Sequence, residues 1–161
     1  IDLKDFDAEL EQRLWELLQE VGAEDRTLVG SFYPVALARF RRLTAGRVAT
    51  AASPAETRNF LLAHLLRATG WLLRPAYDAL QVPEIHRGVR VVSPGSIYAA
   101  HRLGLDVHVW TVDDRATMDR LLAWGVDGLM SDRPDTLAQA LADYNKQDDK
   151  REERRATMGN R

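Results

Sequence analysis

The chain has 161 residues, of which 45% are hydrophobic and 29% are charged, with 22 basic and 24 acidic side chains. These values are typical of one globular domain, and the nearly balanced charge argues against a protein that binds nucleic acid through a strong basic field. Cysteine is absent, and so is the run of ~20 apolar residues that a membrane-spanning helix needs, which excludes disulfides, thiolate metal sites and a transmembrane segment.

Short β-branched runs alternate along the chain with longer segments of helical period. The short runs predict strands at residues 1–4, 26–31, 47–52, 77–82, 107–112 and 126–131. The longer segments predict helices at residues 7–21, from 34 onward, 54–67, 94–103, 115–124 and from 134 onward. Several helix starts carry a capping residue followed by proline, as at Ser53-Pro54 and Ser93-Pro94.

Six units of one strand and one helix, each about 20–30 residues long, predict an α/β protein with a parallel sheet, because parallel strands need a crossover of that size. Two architectures compete, a doubly wound sheet and a (β/α)8 barrel. The phosphate-binding patterns G-x-G-x-x-G and G-x-x-x-x-G-K-[ST] are absent, so a nucleotide-binding doubly wound sheet has no support. The chain starts at Ile1 rather than Met, and six units are three quarters of a barrel. We therefore expect a TIM-type (β/α)8 barrel truncated at its N-terminus to about six βα units.

Residues 144–161 differ in character from the rest of the chain, since they mix basic and acidic side chains with almost no apolar content. Such a segment cannot bury a face. We expect residues 1–143 to form the folded part, and 144–161 to be a charged, mostly disordered tail that extends the last helix by a turn or two. A tail that binds a partner is the alternative.

In a barrel, chemistry takes place at the carboxyl ends of the strands. Asp2 and Lys4 alternate on the first strand, so they share a face and could hold a hard cation and a phosphate side by side. An exposed ion pair at a strand end is the competing interpretation of this pattern. Trp110, near the end of the fifth strand, is either a core aromatic or the wall of a ligand pocket. The four histidines have no partner at metal-ligand spacing and are interpreted as packing or surface residues.

Two segments near the C-terminal end of the chain resemble a known family. Residues 107–114 (VHVWTVDD) and 125–134 (GVDGLMSDRP) are similar to the C-terminal signature of the glycerophosphodiester phosphodiesterase family, V-x-V-W-T-V-N-D and G-V-D-G-I-I-T-D-x-P, at the same separation. Three upstream segments resemble other strands of that family in the same order, namely IDLK at 1–4, LVGSF at 28–32 and ALQVP at 79–83. The resemblance runs from residue 1 to about 142.

The resemblance implies a (β/α)8 barrel that hydrolyses small glycerophosphodiesters to an alcohol and glycerol 3-phosphate with a divalent metal, Ca²⁺ or Mg²⁺. It implies that Asp2 takes the place of a metal-binding glutamate and is one methylene shorter. Lys4 matches the lysine that faces the substrate phosphate, and Trp110 matches the tryptophan that lines the pocket. Asp113 and Ser131 replace the family's asparagine and threonine. The balanced charge and the lack of a long apolar run predict no nucleic-acid partner and no transmembrane segment.

The family's two catalytic histidines, one in an H-R-G motif on the first strand and one after an E-x-D motif, have no counterpart in this chain. No catalytic residue is therefore assigned here, and we expect the chain alone to be inactive. The tripeptide His86-Arg87-Gly88 spells the H-R-G motif but follows Pro83, several units too late, so we interpret it as a coincidence.

Two function classes stay open. The first is a phosphodiesterase formed by a complete barrel that includes this chain. The second is a non-catalytic truncated barrel that acts as a binding or assembly module and closes its sheet by dimerising. An open sheet exposes two edges and apolar surface, which favours the first class.

Overall fold

The computed structural model describes residues 1–158, without the side chains of residue 148 and of 151–158. Its strands are β1 (Asp2–Leu3), β2 (Leu28–Ser31), β3 (Ala49–Thr50), β4 (Ala79–Val82), β5 (Ile85–His86), β6 (Val89–Arg90), β7 (Asp106–Val109) and β8 (Gly128–Leu129). Its α-helices are α1 (Ala8–Glu20), α2 (Pro34–Thr44), α3 (Pro54–Leu65), α4 (Thr69–Leu72), α5 (Pro94–His101), α6 (Arg115–Trp124) and α7 (Pro134–Met158). Each predicted strand and helix is present, whereas α4 and the antiparallel hairpin of β5 and β6 were not predicted.

The parallel strands lie side by side in chain order. β1 pairs with β2 and β2 with β3, while β4 pairs with β7 and β7 with β8. A parallel bridge between Ala51 and Ala79 joins the two groups, and the backbone N–H of Ala52 donates to the Ala79 carbonyl at 2.8 Å. A doubly wound sheet reverses its strand order at a switch point. The order found here has no reversal, which is the arrangement of a barrel-type α/β fold.

Side chains alternate across each strand, so that one set packs beneath the helices. Leu3 and Val29 join a cluster with Trp15 of α1 and Phe40 of α2. A larger cluster lies under the later helices and includes Leu80, Val82, Val107, Val109, Met118 and Leu121. Burial of an aliphatic side chain of this size contributes ~1.5–3 kcal/mol, so the two clusters anchor the helices to one side of the sheet. The alternate residues of the same strands therefore face the opposite side, which in a barrel-type fold is the inner, concave side.

Side-chain caps position the helices where the sequence predicts their starts. The Ser53 hydroxyl accepts from the Glu56 backbone N–H at 3.3 Å, and the Glu56 carboxylate accepts from the Ser53 N–H at 2.7 Å. The carboxylate of Asp114 accepts from the Thr117 N–H at 2.8 Å at the start of α6. Hydrogen bonding to the backbone and side chain of Thr117 holds the pKa of Asp114 below its ordinary value.

Arg41 of α2 connects three consecutive elements of the fold. Its guanidinium donates to both carboxylate oxygens of Glu56 on α3 at 2.7 and 3.2 Å, and to the Thr50 hydroxyl on β3 at 2.9 Å. Burial by itself would raise the pKa of Glu56, but the hydrogen bonds from Arg41 and Ser53 outweigh it, so the pKa of Glu56 is lowered. Burial, together with the nearby Glu56 carboxylate, raises the pKa of Tyr77 to about 12.

The last helix is longer than the sequence predicts. α7 is helical from Pro134 to Met158, farther than the turn or two beyond residue 143 that the sequence predicts. The expectation that residues 144–161 are mostly disordered stays a prediction, and residues 159–161 lie outside the described part of the chain. That segment contains several Arg, Lys and Glu residues, whose helix propensity does not depend on burying a face. The division of the chain at residue 143 stays a prediction. None of the helices in residues 1–158 is long and apolar enough to cross a membrane.

Glu56→Gln tests the connection made by Arg41. Because the folded-state pKa of Glu56 is lowered, its charge stabilises the fold above the ordinary value of 4.5, and this contribution is lost as pH falls through the lower folded value. We expect the substitution to reduce the free energy of unfolding at pH 7 by about 1 kcal/mol, discounted for partial exposure. Urea titrations at pH 7, 5, 4 and 3 should show the difference from wild type shrinking below pH 4.5.

Glu20→Gln, at an exposed position on α1, is the matched control and should change stability little at each pH. A Glu56→Gln difference that is the same at pH 3 as at pH 7 would contradict the assigned ion pair.

Candidate active site

The candidate site begins with the two charged residues of the first strand. Leu3 points into the helix-covered core, so its neighbours Asp2 and Lys4 emerge together on the concave side. The Lys4 ammonium donates to the Asp2 carboxylate, and the two side chains keep 75% and 43% of their accessible surface. The predicted shared face is therefore present, and both groups are accessible to a ligand. Their roles toward metal and substrate stay predictions.

Phe32 connects this charged pair to the tryptophan singled out in the sequence. The Lys4 ammonium lies 5.9 Å from the centroid of the Phe32 ring. The Phe32 and Trp110 rings meet edge to face, with centroids 6.3 Å apart and an angle of 83° between their planes. A cation and two aromatic rings, from the ends of β1, β2 and β7, thus form one continuous surface.

The role of Phe32 was missed by the sequence analysis. It entered the sequence analysis only as the last residue of the LVGSF segment at 28–32. A phenylalanine directly after a predicted buried strand lies at the strand end where a barrel binds ligands, and this position could have identified Phe32. The structure shows that the side chain is exposed there.

Ser31 fixes the relative position of the first two strand ends. Its hydroxyl donates to the Leu3 carbonyl at 2.8 Å and accepts from the Tyr33 backbone N–H at 3.1 Å. Since Lys4 follows Leu3 and Phe32 follows Ser31, this buried hydroxyl helps set the distance between the cation and the ring.

A second hydroxyl and carboxylate fix the loops after β7 and β8. The Ser131 hydroxyl donates to the Asp113 carboxylate at 2.9 Å, and the Asp132 backbone N–H donates to the same oxygen at 2.8 Å. The Arg133 N–H in turn donates to the Ser131 hydroxyl at 2.9 Å. Asp113 lies three residues after Trp110. Its contact with Ser131 therefore connects the loop after β7 to the loop after β8. The Trp110–Thr111 peptide bond is cis.

Glycines make room for the polar residues on the concave face. Gln81 of β4 and His108 of β7 are register partners, and their side chains approach within 3.4 Å between Nε2 and Nδ1. A Cβ atom added at Gly128 would lie 2.8 Å from Cδ2 of His108, and one at Gly30 would lie 2.9 Å from Oε1 of Gln81. Gly128 on the neighbouring strand β8 and Gly30 on β2 thus leave room for the larger side chains of His108 and Gln81.

The remaining histidines lie apart from this surface. The His64 ring stacks on Phe60 with an interplanar angle of 6°, and His101 Nε2 lies 2.8 Å from an Asp127 carboxylate oxygen. These contacts agree with the prediction of packing and surface roles.

The H-R-G tripeptide lies in the hairpin that follows β4. His86 ends β5, and Arg87 and Gly88 form a two-residue turn with φ values of 49° and 80° before β6. Positive φ at both central positions is the geometry that a tight hairpin requires. At this place in the fold the tripeptide therefore forms a hairpin turn.

Residues 2–136 match the Glycerophosphoryl diester phosphodiesterase family. The chain belongs to this family. A protein of Mycobacterium tuberculosis named "Probable glycerophosphodiester phosphodiesterase 2" is 35% identical over 127 residues, which are 78% of this chain and 48% of that protein. A glycerophosphodiester phosphodiesterase of Caldanaerobacter subterraneus is 25% identical over 130 residues, 80% of this chain and 47% of its own. The chain spans about half the length of these curated relatives.

Solved structures of phosphodiesterases share the fold. The crystal structure of a glycerophosphodiester phosphodiesterase from Parabacteroides distasonis superposes with a TM-score of 0.62 at 21% identity, covering 91% of this chain and 56% of that one. One from Agrobacterium tumefaciens gives 0.63 at 20% identity, covering 88% and 55%. These similarities confirm a TIM-barrel-like α/β fold for this phosphodiesterase-family chain, as the strand order indicates.

The carboxylate of Asp2 is chemically suited to Ca²⁺ or Mg²⁺, both of which prefer oxygen ligands. Such ions take six or more ligands, whereas the part of the chain that the structure describes brings no three His, Asp or Glu groups together as a metal cluster. Asp2 can therefore supply one ligand, and these residues do not form a complete metal site by themselves.

Gly128→Ala tests the packing of the concave face. The new methyl group would meet the His108 ring, and we expect the free energy of unfolding in urea to fall by ~1–3 kcal/mol. In a His108→Ala background the same substitution should cost much less, because the clashing ring is gone. Gly70→Ala is the control, since its added Cβ meets nothing within 4 Å and it lies in α4. Equal costs of Gly128→Ala in both backgrounds would contradict this packing.

Proposed function

We propose that this chain is the C-terminal part of a barrel that hydrolyses glycerophosphodiesters to an alcohol and glycerol 3-phosphate with a divalent metal. Membership of the family supports this reaction class. The observation that carries the proposal is the surface at the strand carboxyl ends, where Lys4, Phe32 and Trp110 meet beside the carboxylate of Asp2. An anion-binding group beside an apolar wall suits a substrate with a phosphate and a glycerol backbone.

Lys4 is proposed to bind the phosphodiester. An ammonium group has three donors, so the hydrogen bond to Asp2 leaves others for phosphate oxygens. Its charge would stabilise the negative charge on the phosphoryl oxygens as the bond to the leaving alcohol breaks. The exposure of the side chain allows it to reach a ligand without rearrangement of the strand.

Asp2 is proposed to ligate the metal, Ca²⁺ or Mg²⁺, together with residues of the barrel outside this chain. When bound, the metal would polarise a phosphoryl oxygen and lower the pKa of a coordinated water. Asp2 also accepts a hydrogen bond from the Lys4 ammonium, and this contact is proposed to orient the cation toward the place where the phosphate would bind. Trp110 and Phe32 are proposed to contact the carbon skeleton of the substrate and to exclude water from one side of it.

The alternative is a non-catalytic binding or assembly module. It is favoured by one observation, namely that the sole H-R-G tripeptide forms a hairpin turn rather than the end of a first strand. Reading the DNA upstream of the codon for Ile1 distinguishes the two proposals. A reading frame that encodes H-R-G and E-x-D on preceding strands supports the enzyme, and a start codon directly upstream supports the module.

Residues 1–161 by themselves are expected not to hydrolyse glycerophosphocholine. General acid and base groups each contribute ~10²–10⁴-fold, and both family histidine motifs lack a counterpart in this chain. The measurement is release of glycerol 3-phosphate by the purified chain in Ca²⁺ or Mg²⁺, after removal of host enzymes. Metal-dependent turnover that is lost on His86→Ala would refute both the expected inactivity and the interpretation of His86 as a turn residue.

Substitutions of Asp2 and Lys4 in the complete barrel separate their proposed roles. Asp2→Asn should weaken metal binding, so that activity is partly restored at high metal concentration, whereas Asp2→Glu restores the residue found in the family and should be tolerated. Lys4→Met should raise KM or lower kcat with no change in the metal titration, because it removes a phosphate contact. The readouts are metal titrations of initial rate and steady-state kinetics.

If Asp2→Asn changes neither the metal titration nor the rate, Asp2 is not a ligand. The pair would then be an exposed ion pair, which contributes ~0–1 kcal/mol to stability and nothing to the reaction.

A further inference from the structure

The ends of α3 and α4 carry an apolar surface that the proposed reaction does not use. Leu65, Leu66 and Trp71 keep 75%, 72% and 82% of their accessible surface, and Leu62 and Leu72 are also exposed. We name these five residues the α3–α4 patch. Single exposed leucines are common on proteins, but clustered ones with a nearly fully exposed tryptophan mark a surface for contact.

The patch arises because α3 is apolar on both of its sides. Phe60 and Ala63 are buried against the core. Leu62, Leu65 and Leu66, at i, i+3 and i+4, share a face of the helix that points to solvent. A surface helix of this kind normally carries polar residues on that side.

The turn after α3 brings α4 beside this face. Arg67 adopts a left-handed conformation with φ of 54°, and the Ala68 N–H donates to the Ala63 carbonyl at 2.8 Å. This reversal is a Schellman-type helix end. It places Trp71 and Leu72 of α4 directly after the exposed end of α3.

The chain segment that carries the patch is positively charged. Arg58, Arg67 and Arg74 are exposed, and residues 57–77 contain no aspartate or glutamate. Among the residues whose side chains the structure describes, no carboxylate lies within salt-bridge distance of these three arginines. Arg74 donates to the Gly70 and Leu73 carbonyls through one of its nitrogens, which leaves the rest of its guanidinium available.

We propose that the α3–α4 patch docks on the surface of an anionic phospholipid bilayer. Tryptophan and leucine insert at the boundary between headgroups and acyl chains, while arginines keep their guanidinium groups at the phosphates. Each arginine near an anionic membrane contributes about fivefold to partitioning, corresponding to ~1 kcal/mol. The apolar side chains of the patch favour insertion among the lipids, and the arginines favour attraction to the anionic headgroups.

Charge argues against a second copy of the chain as the occupant. In a symmetric dimer the patch would face itself, so that Arg58, Arg67 and Arg74 would approach the same arginines of the other copy. The segment supplies no carboxylate to compensate them. An anionic lipid surface is complementary to this arrangement.

Docking through the patch is compatible with the proposed site. Because β3 and β4 run parallel, α3 returns along the sheet and ends near its amino edge, whereas Lys4 and Trp110 lie at the carboxyl edge. A docked protein would keep its candidate site open to water. The membrane proposal does not depend on the phosphodiesterase proposal.

Co-sedimentation with sucrose-loaded vesicles tests the proposal. We expect the chain to sediment with vesicles of phosphatidylglycerol and phosphatidylcholine mixed equally, and to stay in solution with pure phosphatidylcholine. Trp71→Ala should weaken partitioning about tenfold, and Arg67→Gln with Arg74→Gln about 25-fold at low salt. Tryptophan emission should shift to the blue on binding in wild type, and Trp71→Ala should remove that shift.

The matched controls are Leu17→Ala, at an exposed leucine of α1, and Arg13→Gln with Arg42→Gln, which changes the net charge equally elsewhere on the surface. Both should bind vesicles nearly as wild type does. Thermal unfolding should be unaffected by Trp71→Ala, because the side chain is exposed.

Three results would overturn the proposal. The first is no binding to the anionic vesicles, and the second is binding that the control pair weakens as much as Arg67→Gln with Arg74→Gln. The third is a dimer in sedimentation velocity that Trp71→Ala dissociates without any vesicle binding, which would assign the patch to self-association.

Discussion

The alternation of side chains along three parallel strands controls both the core and the candidate site. On β1, Leu3 is buried among helices and thereby directs Asp2 and Lys4 to the other side. On β7, Val109 is fully buried and Trp110 emerges beyond it. Because the period of a strand is two, the same apolar contacts that attach the helices also determine which polar and aromatic groups face a ligand. A shift of one residue in β1 would exchange the core residue with both charged groups.

Register then determines which of these groups meet. Asp2 is level with Gly30, and Phe32 lies two residues farther along β2, on the same face. The Ser31 hydroxyl bonds to the Leu3 carbonyl and strengthens this register at the strand ends. Lys4 can therefore approach the Phe32 ring although 27 residues separate them along the chain. The contact between Phe32 and Trp110 extends the surface across the concave side of the sheet.

The two edges of the sheet differ in chemistry. At the carboxyl edge an ion pair adjoins aromatic rings, and the loops are connected by hydroxyl and carboxylate groups such as Ser131 and Asp113. At the amino edge the end of α3 and the short α4 carry leucines, a tryptophan and arginines, in a segment whose residues 57–77 include no aspartate or glutamate. The Arg41–Glu56 ion pair holds the start of α3 against α2, so the position of the patch depends on a partly buried interaction at the opposite end of that helix.

Local signals in the sequence determined the class of fold and most element positions. Capping pairs such as Ser53-Pro54 and apolar periods identify helices from neighbouring residues alone, because those interactions are made within one turn. The shared face of Asp2 and Lys4 is equally local, since it follows from strand alternation. The family signature at 107–134 pointed to Trp110 before any contact was known.

Only the tertiary structure decided what these residues contact. The approach of Phe32 to Lys4 and Trp110 joins three strands that are distant in sequence, and no local pattern encodes a distance between them. The hairpin at His86 needed two positive φ values, which arginine seldom adopts and which a sequence pattern therefore does not predict. The length of α7 was also not predicted, because the absence of an apolar face says nothing about helix propensity, and the backbone is helical to Met158.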